Sequence, residues 1–135
     1  LTTINKKKLK TKLLGVTQLT SHDSKNSHVN YCENNTKKIV KKFATLASKS
    51  EVNGIICSGN DLSELKKFKK LLKITPGVKM FSRKDDQKRV TYVHEALDSG
   101  ADYVVIGREL INNKDPRSLL QSYYEKNQNQ NLWTN

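Results

Sequence analysis

The chain has 135 residues, with 25 Lys and Arg against 13 Asp and Glu for a formal charge of +12, and 35% of it is hydrophobic. That is enough for one packed domain but short of the roughly 250 residues typical of a closed eight-stranded α/β barrel. No apolar run approaches the roughly 20 residues that cross a bilayer, and lysines stand at positions 6–8 where a secretory leader would turn apolar, so a cytoplasmic protein with no membrane partner is expected.

The residues fall into a basic N-terminal segment (1–12), a body of four strand–helix units (13–126) and a polar tail (127–135) in which Trp133 is the one residue suited to docking. The first strand is expected over 13–19, LLGVTQL, and its helix over 35–50, with Ile39, Val40, Phe43, Leu46 and Ala47 at helical spacing. The connection between them, 21–34, is long and rich in Asn, Ser and His, as binding loops often are. The second strand spans 54–58, GIICS. Its helix starts near Asp61, read as an N-cap with Glu64 three positions on. Leu62, Leu65, Phe68 and Leu72 make the inner stripe, and Lys66, Lys67, Lys69 and Lys70 the solvated side.

The third strand, 72–75, is closed by a Pro76-Gly77 turn. A charged loop over 78–88 leads to a helix over 91–99, which Gly100 stops as a left-handed cap. The fourth strand, at 103–106, is the continuous apolar run YVVI, which reads as a strand covered on both faces. Gly107 follows, where the absence of a Cβ lets a ligand approach the backbone, and then Arg108, whose planar fork of donors suits a phosphate oxyanion. The last helix opens at Asp115-Pro116, an N-cap followed by proline at the first helical position, and runs through Leu119, Leu120, Tyr123 and Tyr124.

Strands alternating with helices pair in parallel by right-handed crossovers, and binding groups then gather at the strands' carboxyl ends. Those ends carry Gln18, Leu19 and Thr20, then Cys57 and Ser58, then residues 75–79, and last Gly107 and Arg108. Cys32 and Cys57 have neither metal-ligand nor disulfide-framework spacing, and His22, His28 and His94 add no ligand pattern, so neither metal nor cofactor is expected. Cys57 reads as a packed thiol. Taken without further context, Arg108 reads as a strand-end residue paired with Glu109 or Asp102.

Four motifs in order carry a family resemblance: LGVTQLTS at 14–21, NGIICSGND at 53–61, ITPGV at 74–78 and ADYVVIGR at 101–108, with Gln87 ahead of EAL at 95–97. Together they resemble the C-terminal half of the orotidine 5′-phosphate decarboxylases, which convert orotidylate to uridylate in pyrimidine synthesis. The resemblance implies an α/β fold of parallel strands, a (βα)4 half of a TIM-type (β/α)8 barrel. It implies that Thr20 hydrogen-bonds the pyrimidine ring, that Gln87 bridges base and phosphate, and that Gly107 and Arg108 hold the 5′-phosphate.

Lys79 stands where the family commonly has an arginine reaching phosphate, Tyr92 where a proline is usual at the helix start, and Gly59 where an alanine is common. The family's chemistry depends on an Asp-x-Lys-x-x-Asp segment. These residues contain none: a partial match, Asp23, Lys25 and then His28, ends in the wrong residue and follows the wrong strand. The chain alone is therefore expected to bind a pyrimidine nucleotide monophosphate, orotidylate or uridylate, without turning it over.

A half barrel also leaves two strand edges and an inner face open, which implies a homodimer or a complex with a missing N-terminal half. The alternatives are a basic nucleic-acid-binding module, supported by the charge, and a structural remnant that binds nothing. Nucleic acid is the weaker reading, because the lysines spread over helix surfaces and the aromatic residues form no stacking series.

Overall fold

The computed structural model describes residues 11–17, 35–81 and 90–127. Four strands, β1 (Leu14–Val16), β2 (Gly54–Ile56), β3 (Leu72–Pro76) and β4 (Tyr103–Val105), lie side by side in chain order and pair in parallel throughout. The helices are α1 (Thr36–Lys49), α2 (Leu62–Leu65), α3 (Val93–Asp98), α4 (Arg108–Ile111) and α5 (Pro116–Asn127). This is the expected half-barrel architecture, parallel strands with helical crossovers.

Local signals set most boundaries. Asn35 caps α1 by accepting the Lys38 N–H at 3.2 Å, and Gly100 ends the α3 segment at φ +101, a conformation an L side chain rarely adopts. Asp115 caps α5, taking the Ser118 N–H at 3.0 Å and the Ser118 hydroxyl at 2.6 Å. These bonds to the charged form, the hydroxyl's foremost, hold the Asp115 carboxyl below its ordinary range. At Tyr92, which precedes α3, Glu95 reaches back and accepts the Tyr92 N–H at 3.0 Å, half of a capping box.

The core lies between the helices and one face of the sheet. Val40, Ala44 and Ala47 of α1, Leu62 and Leu65 of α2, Val93 and Ala96 of α3 and Tyr123 of α5 are all buried in one cluster with Ile55 and Cys57 from the second strand's path. Leu62 and Leu65 are fully buried, each contributing about 1.5–3 kcal/mol of transfer free energy. The buried stripe of α1 is narrower than its pattern implies. Leu46 is 57% exposed, and the small Ala44 and Ala47 take the contact instead. They let the helix approach closely enough that a Cβ on Gly15 would stand 3.8 Å from Ala47 Cβ.

Three expectations need correction. The second helix is a single turn, preceded by a 3-10 turn at Gly59–Asp61 that Ser58 caps, and Asp61 makes no side-chain cap bond. Its expected partner Glu64 turns away to Lys37 and Lys41 of α1, because two ammonium groups compete better for a carboxylate than one peptide N–H. Leu72 belongs to β3, not to the helix stripe, and β3 extends through Pro76, with the next N–H, that of Gly77, bonding Val105 O at 3.2 Å.

The third correction concerns β4, which is not covered on both faces. Tyr103 is 56% exposed and Val105 48%, while Val104 and Ile106 pack on the core. The sheet's other face is open: Val16, Ile56, Ile74 and Tyr103 form one cross-strand row on it, and Leu14 and Val16 are exposed as well. No helix among the described residues is long and apolar enough to cross a membrane.

Candidate functional site

The carboxyl ends of β3 and β4 converge because the strands pair in register, Pro76 opposite Val105. Each strand then turns outward into a polar segment. Between them lies an open groove of about 750 Å³ whose lining includes Pro76, Gly77, Lys79, Gly107, Arg108 and Glu109. Gly77, at φ +77, makes the turn that brings residues 78–80 back across the end of the sheet.

Lys79 is fixed by its backbone. Its N–H donates to Thr91 O at 3.1 Å and its carbonyl accepts the Val93 N–H at 2.9 Å, a short parallel bridge to the start of α3. On the other wall, the space beside Gly107 is empty where a Cβ would stand, so a ligand can approach that backbone. Arg108 opens α4, and a first-turn N–H has no carbonyl partner within its own helix.

Arg108 does not take the pairing that its neighbours suggest. Asp102 instead accepts the Lys73 N–H at 2.8 Å, with the Lys73 ammonium at 3.8 Å, tying the start of β4 to β3. Glu109 accepts the Met80 N–H at 2.6 Å. The Arg108 side chain is exposed and has no ion-pair partner among the described residues. An exposed guanidinium beside the glycine and lysine of one groove offers donors and positive charge of the kind an anion needs.

The structure therefore brings Lys79, Gly107 and Arg108 to one groove, whereas Thr20 and Gln87 lie outside the described residues. The Asp23–His28 stretch, Cys32 and Trp133 lie outside them too. Glu109 entered the sequence reading only as a partner for Arg108, not as a residue of the groove's frame. It follows Arg108 directly, but nothing in the pattern shows that it reaches a peptide 29 positions earlier.

Cys57 is fully buried, and burial pushes its thiol up to about 11, the behaviour of a packed thiol rather than a nucleophile. No group of three or more His, Cys, Asp or Glu side chains suited to a metal occurs among the described residues. The lysines at 66, 67, 69 and 70 are exposed as a solvated face.

Comparison with known proteins decides the lineage. Residues 2–123 match the model of the "Orotidine 5'-phosphate decarboxylase / HUMPS family". The chain belongs to that family. A Wolbachia pipientis orotidine 5′-phosphate decarboxylase is 39% identical over 111 residues, covering 81% of this chain and 49% of the relative. An Aquifex aeolicus enzyme of the same name is 39% identical over 112 residues, covering 78% and 47%.

Solved decarboxylases show the same half. One from Lactobacillus acidophilus superposes with a TM-score of 0.67 at 25% identity, covering 85% of this chain and 48% of that one. One from Methanocaldococcus jannaschii, complexed with the inhibitor BMP, gives 0.61 at 26%, covering 88% and 50%. The chain thus spans about half the length of the family members it matches, and its four parallel strands correspond to half of their TIM-type barrel.

Proposed function

We propose that these residues are the nucleotide-gripping part of an orotidine 5′-phosphate decarboxylase, a lyase of pyrimidine biosynthesis, and hold the 5′-phosphate of orotidylate or uridylate in the groove between β3 and β4. The exposed guanidinium of Arg108, without an ion-pair partner among the described residues and beside Gly107 and Lys79, carries this reading. Arg108 grips two phosphate oxygens with its fork, the peptide N–H groups at Gly107 and Arg108 bind from the side lacking a Cβ, and Lys79 adds a point charge. Thr20 holds the base, and Gln87 bridges base and phosphate.

The 135 residues contain no Asp-x-Lys-x-x-Asp segment. Decarboxylation of an unactivated ring requires a fixed cation and proton donor at the developing carbanion. On this reading the isolated chain binds nucleotide without turning it over. The open row of Val16, Ile56, Ile74 and Tyr103 and the outer edges of β1 and β4 pair with a complementary half, supplied by another chain, by a further part of this one or by a second copy.

Thermal denaturation with uridylate tests the binding: the ligand raises Tm for the parent chain and not for Arg108→Ala. An unchanged parent Tm at millimolar uridylate rejects the phosphate site. Following orotidylate by absorbance tests the chemistry. Turnover by the pure chain refutes its silence, and turnover that appears only on adding a segment with Asp-x-Lys-x-x-Asp supports complementation.

A further inference from the structure

Glu109 is a carboxylate in a groove otherwise suited to anions, and it is already engaged. Its Oε2 accepts the Met80 N–H at 2.6 Å, a short charge-assisted bond. Met80 is buried in the core and follows Lys79 directly. Glu109 likewise follows Arg108 directly. The bond therefore ties together the two walls that carry the groove's cations.

The Thr91–Val93 segment fixes Lys79 from one side through the Lys79 N–H and carbonyl. Glu109 fixes the next peptide from the other. This is the hydrogen bond by which α4 reaches that peptide.

We propose that Glu109 is a positioning residue of the phosphate groove, holding Lys79 and Arg108 at a set separation, and that its charge at the same time limits how tightly the groove holds a dianion. The inference rests on reading the groove as a 5′-phosphate site. Its two effects have opposite sign, so conservative variants separate them. Glu109→Gln keeps the acceptor and its reach but removes the charge. Glu109→Asp keeps the charge but falls one methylene short of Met80.

The experiment titrates the 135-residue chain and both variants with uridylate and with inorganic phosphate by calorimetry at pH 7.5, and follows Met80 amide exchange. The Gln variant should bind uridylate about fivefold tighter than the parent, the size of one partly screened charge interaction. The Asp variant should bind about tenfold weaker, the loss expected for a charge-assisted bond. Met80 N–H protection should persist in Gln and fall in Asp, which a purely electrostatic role would not produce.

Gln binding no tighter than Glu, or Asp binding as well as Glu with Met80 still protected, overturns the inference while leaving the groove's function intact. A parent chain that binds neither uridylate nor phosphate overturns the phosphate reading, and this inference with it.

Discussion

Gly59 and Thr91 pack so closely that a Cβ on Gly59 would come 2.5 Å from both Thr91 Cγ2 and Oγ1 and 2.8 Å from Thr91 Cβ. Thr91 in turn supplies the carbonyl that accepts the Lys79 N–H. A glycine after β2 thus sets the position of a segment that holds one wall of the groove after β3. Glycine at position 59 is a steric requirement of this chain.

Gly59→Ala should therefore cost about 1–3 kcal/mol, the usual penalty for overpacking, because the atoms in the way belong to a short β-branched side chain that cannot swing aside. Urea denaturation measures it. Adding Thr91→Ala, which removes the two nearest atoms, should recover part of the loss. A double-mutant cycle with no coupling would show that the two residues do not constrain each other.

Arg108 is exposed and has no ion-pair partner among the described residues, so Arg108→Ala should leave stability within about 0.5 kcal/mol of the parent. Uridylate affinity, by contrast, should fall at least tenfold for Arg108→Lys, which keeps the charge without the fork, and by more for Arg108→Ala. Chemical denaturation and calorimetry on the same samples separate the two readouts.

Cys57 predicts an alkaline limb. Burial raises its thiol from 9.0 to about 11 in the folded chain. Between those values the unfolded chain has released the proton and the folded chain has not, so the unfolded state binds fewer protons and stability declines as pH rises. The contribution is complete below pH 9.0 and lost as pH passes about 11, at most about 2–3 kcal/mol for a shift of this size. In a Cys32→Ser background, denaturant midpoints from pH 8 to 11 should fall, Cys57→Ala should flatten that part of the curve, and native Cys57 should resist iodoacetamide at about pH 8.

Glu64 predicts the opposite limb. Hydrogen bonds from Lys41 and then Lys37 hold its carboxyl down at about 2, from 4.5. The folded chain stays ionised where the unfolded chain takes up a proton, so this stabilisation is present above pH 4.5 and lost as pH falls through about 2. Carboxyl NMR should place the Glu64 midpoint near the lower value, and salt should move it upward, since the group is exposed and screened. A midpoint near 4.5 would mean that the α1–α2 bridge does not persist in solution.

Much of the fold could be read from the residue pattern, because alternating apolar runs and helical stripes leave few topologies open. The caps at Gly100 and Asp115 are local chemistry and stood where the sequence placed them. The short α2 escaped, since Glu64 chose ammonium groups on another helix, a contact 27 and 23 positions away that no local rule encodes. The exposure of Tyr103 and Val105 escaped for a related reason: an apolar run looks the same whether or not anything covers it.

The sequence alone determined the family, the parallel strands and the residue types at the rim, because these follow from order, periodicity and motif. Only the tertiary structure decided that Asp102 and Glu109 are occupied by peptide N–H groups rather than by Arg108. Which donor a carboxylate finds depends on distances across strands, and those distances exist only once the sheet has brought residues 73, 80, 102 and 109 together.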